Sequence, residues 1–366
     1  MRIFKWIKKT RFLFVFLLIN VFLSFLLEPA RGASEMMWSG YYAQEEIDTI
    51  FIGSSLCQGT FDPRIFDERL GVKSYNMGTP SQAMPQTLRA LEVALADHEI
   101  ETVIFGMGFS SMKLYAVEEA ELTFEKARAQ QKGGMESIKT ALAYIYSEDV
   151  RNKENSVNYF FPWLYNRDEI SMEMITYNVR EKWKDFKNLL LGNEDGEEEE
   201  VFFKGYQSPG DDVVNYDNRW ELNSYRYYEA QFDSDMMQKF EEMLALCQEQ
   251  GVDMIVVNTP HPYYDVIACY EFYEENKNEV EALCEKYGVD YYDFNLAKAE
   301  VFETRPMYYR DYEHMNYEGS QVFCQNMCDL MIKRANGETF EDAFYTVEEF
   351  LSLHADWLQE WKTYYW

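Results

Sequence analysis

A chain of 366 residues is long enough for one large or two modest domains with a sizeable core. It carries 34 basic against 64 acidic side chains, a formal charge of −30, which excludes a nucleic-acid binder held by a basic footprint on phosphates. With 47% apolar and 17% aromatic residues the chain is globular and not disordered, and six cysteines are too few for a disulfide framework.

The first eleven residues hold Arg2, Lys5, Lys8, Lys9 and Arg11 and no acid, and an apolar run from Phe12 to Leu27 follows, broken by Asn20 and Ser24. That charge-then-apolar order predicts a signal anchor or a secretory signal, near the short end of the roughly 17–25 residues a spanning helix needs. Two outcomes stand. One is a retained single-pass anchor in the cell membrane. The other is cleavage around Ala30-Arg31-Gly32-Ala33, where Arg31 fits a small-residue site poorly, and a secreted protein. With the positive charge on the short side, the body is expected outside the cytoplasm.

Residues 48–52 read as a first strand running into Gly53-Ser54-Ser55, 73–76 as a second ending at Gly78, and 102–105 as a third ending at Gly106 and Gly108. A helix is predicted over 82–97 from its apolar spacing. The alternation resumes late, with helices over 236–249, 272–287 and 317–333 and strands over 253–257 and 289–294. Strands alternating with helices predict an α/β fold: an open parallel sheet with helices on both faces and its site beyond the carboxyl ends of the strands. The stretch 110–228 breaks this rhythm and reads as a helical insertion, either a lid or substrate platform over the active face or a peripheral subdomain. It contains the aromatic run Tyr159-Phe160-Phe161-Pro162-Trp163 and the acid run 197–200, the latter a solvated loop and not a cation site. The expected organisation is an anchor or signal over 1–33, two halves of an α/β domain over 34–109 and 229–335 around that insertion, and a helical extension over 336–366.

Two short segments carry chemistry. Ser54 and Ser55 lie on the turn leaving the first strand, where a serine can present Oγ at the mouth of the sheet with backbone N–H groups beside a developing oxyanion. Asp311-Tyr312-Glu313-His314-Met315-Asn316-Tyr317-Glu318-Gly319 precedes the last core helix. A serine needs a base to take its proton and an acid to hold that base in one tautomer, and Asp311 and His314 on one loop can supply both. Of the other histidines, His261 follows a strand and is a candidate for substrate contact, whereas His98 and His354 read as surface or helix-flank positions. Cys324 and Cys328, four apart on a helix, lack the further ligands a metal needs, so no metal or other cofactor is expected.

These blocks resemble the SGNH/GDSL hydrolase superfamily, and within it the membrane-anchored cell-envelope branch that includes teichoic-acid D-alanylation and alginate O-acetylation proteins. The resemblance covers roughly residues 48–109 and 253–329, and rests on Gly-Ser-Ser after the first strand and on the His-x-Asn-x-x-Gly run at His314–Gly319. It implies a three-layer, flavodoxin-like parallel sheet of the SGNH type. It further implies Ser55 as nucleophile with Ser54 the alternative, His314 as base, Asp311 as its orienter, and the N–H groups of Ser55 and Gly78 as an oxyanion hole. Ser54, Asn76, His261 and Asn316 are candidates for binding substrate. The implied activity is an extracytoplasmic serine esterase or O-acyltransferase acting on acyl esters of a cell-envelope polysaccharide or teichoic-acid-like polymer. The implied partners are the membrane, through the N-terminal helix, and a polytopic membrane acyltransferase. Where the family carries a third-block asparagine donor, this chain reads Gly106-Met107-Gly108-Phe109. A non-catalytic envelope-assembly or binding subunit is therefore the alternative.

Overall fold

The computed structural model describes residues 2–28, 30, 32–112, 118–145, 170–191, 202–214 and 232–365. The chain forms two compact units, one from Met1–Trp38 with Glu118–Gly196 and the other from Ser39–Val117 with Glu197–Trp366. The aromatic run at 159–163 and the acid run at 197–200 lie outside the described residues.

In the first unit, helix α1 (Arg2–Leu27) holds one segment, Thr10–Leu27, long and apolar enough to cross a membrane or to act as a signal. The boundary between the units falls within α2 (Ala33–Tyr42). The first unit also contains α6 (Glu118–Gln131), α7 (Gly134–Ile145) and α8 (Met172–Leu191).

The second unit is α/β. Strands β1 (Thr49–Gly53), β2 (Ser74–Asn76), β3 (Thr102–Met107), β6 (Asp253–Asn258) and β7 (Asp290–Asp293) form one all-parallel sheet in the order β2-β1-β3-β6-β7. The register pairs Thr49 with Ser74 and Thr102, and Thr102 with Asp253. β1 is buried along its whole length, as a strand covered on both faces must be, and its middle residues 50–52 are correspondingly apolar without alternation. A two-residue ladder, β4 (Phe202–Phe203) with β5 (Tyr206–Gln207), also belongs to this unit: Lys204 C=O accepts from Asn76 N–H at the end of β2. Part of the stretch expected as an insertion therefore extends the sheet domain.

Helices cover the sheet on both sides. α3 (Ser55–Thr60), α4 (Pro63–Leu70) and α12 (Tyr317–Ala335) pack together, with Phe61, Phe66, Phe323 and Cys324 closing on Phe51, Ile104, Ile255 and Val257. α5 (Met84–Asp97), α9 (Ser234–Gln250) and α11 (Tyr270–Tyr287) form the other layer, where the Phe240 ring packs tilted against Phe105 at 5.8 Å. α10 (Tyr263–Ala268) follows β6, and α13 (Val347–Leu353) and α14 (Ala355–Tyr365) complete the chain. The strand order reverses between β1 and β3, which makes the carboxyl ends of those two strands the crevice where open α/β sheets bind ligands.

Candidate active site

The turn leaving β1 is built for close approach. Gly53 has φ +147°, and a Cβ there would lie 2.2 Å from the Gly106 carbonyl oxygen on β3, so only glycine fits. Ser54 is the N-cap of α3, its Oγ accepting from Leu56 N–H at 3.4 Å, and is buried. Ser55 follows as the first helical residue, with its Oγ 2.8 Å from His314 Nε2. The two serines are therefore not equivalent: Ser54 caps the helix and Ser55 meets His314.

The loop before α12 holds the other two groups. An antiparallel bridge between Tyr309 and Met315 closes it, and Asn316 N–H donates to Tyr308 C=O and Arg310 N–H to His314 C=O. Within that tight loop, Asp311 Oδ1 accepts from Glu313 N–H at 2.9 Å and His314 N–H at 2.7 Å. His314 Nδ1–H donates to the same carboxylate, 3.0 Å from Oδ2. Nδ1 thus carries the proton and Nε2 presents its lone pair to the Ser55 hydroxyl, the arrangement of a nucleophile, a base and an orienter. Burial pushes the Asp311 carboxyl up, but the hydrogen bond and charge of His314 and the two backbone N–H donors outweigh it and hold it below the usual carboxylate range. Burial also raises Glu313, which sits beside both partners.

Helix α12 sets this loop against α3. Asn316 caps it through Gly319 N–H, and Phe323 packs edge-on against Phe61. Gln321 Nε2 donates to Asp62, the N-cap of α4, at 2.9 Å. Cys324 belongs to the same join, its thiol donating to Thr60 C=O and its sulfur accepting from Asp62 N–H. Among the described residues no three His, Cys, Asp or Glu side chains gather as a metal site.

Several residues expected to face a substrate have other duties. Asn76 is fully buried, its Nδ2 donating to Cys57 and Phe61 carbonyls and its Oδ1 accepting from Gly78 N–H. Asn316 spends both donors on Asp212 and Met307 carbonyls and its acceptor on the cap. Both amides are engaged in holding backbone. The Gly78 N–H, expected in an oxyanion hole, is taken by Asn76 Oδ1 at 2.9 Å. His261 is buried, its N–H bonded to Asn295 Oδ1 and its Nδ1–H to Thr259 C=O, so Nε2 is its acceptor. It lies within electrostatic reach of His314 and Asp311, and burial first, then the His314 charge, lowers it to about 4, a neutral imidazole.

One residue at the site was not singled out from sequence. Gln58 is on the same face of α3 as Ser55, three residues on, and its buried Nε2 has no hydrogen-bond partner among the described residues. Its only signal in the sequence is that spacing, which is too common to select it.

No protein-family model matches this sequence, and neither does any curated protein.

Proposed function

We propose that the chain is a serine esterase or O-acyltransferase of the SGNH/GDSL type, acting outside the cytoplasm on acyl esters of a cell-envelope glycan or polymer. The observation that carries this reading is the continuous relay from Ser55 Oγ through His314 to Asp311, at 2.8 and 3.0 Å, across 259 residues of sequence. Its position supports the same reading, because the nucleophile leaves the interior strand β1 at the strand-order switch and the Asp-x-x-His pair sits before the last core helix.

In this mechanism Ser55 Oγ attacks the acyl carbonyl carbon while its proton passes to His314 Nε2. The tetrahedral intermediate collapses as the ester C–O bond breaks, and His314 returns the proton to the leaving alcohol. Water, or a sugar or polyol hydroxyl, then attacks the Ser55 acyl ester with His314 again taking the proton. Ser55 leaves with that proton and the acyl group goes to the acceptor. Asp311 stays ionised throughout and stabilises the imidazolium. A polytopic membrane acyltransferase is the partner that the transfer version implies. Gln58 Nε2 is the candidate for the donor that Gly78 and the glycine-rich 106–109 segment do not supply.

The test is covalent labelling of the full chain in detergent with a fluorophosphonate. Wild type and Ser54→Ala label, and Ser55→Ala and His314→Ala do not. Folded wild-type protein that stays unlabelled would overturn the catalytic reading. It would favour the second one, a binding or envelope-assembly subunit, for which the engaged Gly78 N–H is the specific observation.

A further inference from the structure

The last turn of α1 is tied into the folded unit by side chains far away in sequence. Asn178 on α8 is buried, its Nδ2 donating to Leu26 C=O and its Oδ1 accepting from Ala30 N–H, both at 3.1 Å. Lys182, one turn on, donates 2.7 Å bonds to the Phe25 and Glu28 carbonyls and lies over the Phe25 ring. A lysine there satisfies carbonyls that a helix C-terminus leaves open. Lys126 on α6 pairs with Glu28.

The adjacent face of α8 is apolar and exposed. Met172, Val179, Trp183 and Phe186 fall at helical spacing, with Trp183 55% and Met172 75% exposed. Trp183 and Phe186 are paired at 5.6 Å, Lys187 lies over Trp183, and Arg180 lies over Tyr177. α7 repeats the pattern with exposed Met135, Ile138 and Leu142. Large apolar side chains gathered in exposed stripes on two helices of one unit mark a surface that meets something other than water.

The 18 residues Thr10–Leu27 span about 27 Å as a helix, close to the roughly 30 Å hydrocarbon core, so Leu27 marks the depth at which α1 leaves the bilayer. Trp183, Phe186 and Tyr177 lie within five residues of Lys182, hence within about 8 Å of that level along α8. Tryptophan and tyrosine with snorkelling lysines and arginines are the side chains that settle at this interface.

We propose that α1 is a retained anchor and that α7 and α8 form a collar lying in the lipid interface where it emerges, the apolar stripes in the acyl boundary and the cations among headgroups. Cleavage near Ala30 or Ala33 removes both partners of the buried Asn178 amide, so the collar and the retained anchor stand or fall together. The occupant of the stripes is the bilayer in which α1 sits.

The experiment places a nitroxide on the full chain in phosphatidylcholine–phosphatidylglycerol nanodiscs through Trp183→Cys or Leu142→Cys, with Asp356→Cys on α14 as the aqueous control; the native cysteines are all buried. Oxygen relaxes the labels at 183 and 142 more than a water-soluble nickel complex does, and the order reverses at 356. Equal nickel access at all three sites overturns the proposal, and so does shielding of 183 and 142 from both reagents, the mark of a protein covering them. Should the cysteine variants fail to fold, brominated lipids quench wild-type fluorescence more than that of Trp183→Phe, and equal quenching counts against the collar. Intact mass of the membrane-extracted chain retains α1; a mass starting near residue 31 or 34 overturns retention.

Discussion

Asp311 does three things with one carboxylate: it turns the backbone by accepting two N–H groups, fixes the His314 ring, and supplies the charge that an imidazolium needs. Asp311→Asn keeps the turn but offers an amide N–H₂ to Nδ1, favouring the wrong tautomer, and the labelling rate is expected to fall about 10⁴-fold with little change in melting temperature. Gln58 poses the opposite case. Its Nε2 has no partner among the described residues, and a buried donor left so costs roughly 1–3 kcal/mol, so Gln58→Leu is expected to raise stability by about that amount. If Nε2 serves the oxyanion, the same change slows labelling about 10²-fold. Thermal melting and labelling rate measured on one preparation decide it, and a stabilised variant with an unchanged rate removes Gln58 from the mechanism. The residue scale is also where sequence reading reached its limit. Ser54 and Ser55 are indistinguishable as letters, and only the cap geometry separates them. Asn76 and Asn316 read as polar groups at strand ends and loop ends, but residue type carries no direction, and both amides turn inward to hold carbonyls.

At the scale of elements, the ends of β6 and β7 bury two ionisable groups with opposite preferences. Asp293 accepts from Tyr273 OH, Asn258 Nδ2 and Asn295 N–H, with Lys277 within electrostatic reach, and burial raises it to about 6. His261, joined to it through Asn295, is lowered to about 4 and is influenced by His314 and Asp311. Between about pH 4 and 6 the folded state binds the Asp293 proton more tightly than the unfolded chain does, so this group's contribution to stability falls as pH rises through that window. Over about pH 4 to 6.5 the unfolded chain binds the His261 proton more tightly, so that contribution is lost as pH falls. Each amounts to roughly 3 kcal/mol, and together they nearly cancel. Against wild type, Asp293→Asn therefore gains stability from pH 4 to 6, and His261→Gln gains it from pH 6.5 down to 4. Denaturant unfolding at several pH values reads both, and curves parallel to wild type sink the assignment. The elements themselves were legible, because β1, β3 and β6 are short apolar runs closed by glycine or a polar turn and the helices between them keep a 3.6-residue period. The pairing of their ends was not, since a buried Asp–Tyr–Asn cluster leaves no periodic trace.

Across the whole molecule, the N-terminal apolar helix and the Ser55–His314–Asp311 relay belong to different units, each with its own buried side chains. The basic head and apolar run announced a membrane or signal segment, but the tie from Asn178 to Leu26 spans 152 residues and no local pattern encodes it. That separation makes a prediction for a chain lacking residues 1–33. Asn178 then has neither the Leu26 carbonyl nor the Ala30 N–H, and Lys182 loses the carbonyls of Phe25 and Glu28, so α8 keeps a buried amide with no partner. Hydrogen exchange in α8 is expected to rise by orders of magnitude, because an isolated amphipathic helix of 20 residues is marginal in water. The core strands β1, β3 and β6 draw their protection from Phe61, Phe66, Phe240 and Phe323 within their own unit, so their exchange is expected to stay as in the full chain and Ser55 still to label. Loss of protection in both regions together would mean that the anchor helix stabilises the sheet and that the relay depends on it. Loss confined to α8 would place tethering and catalysis on separable parts of one chain.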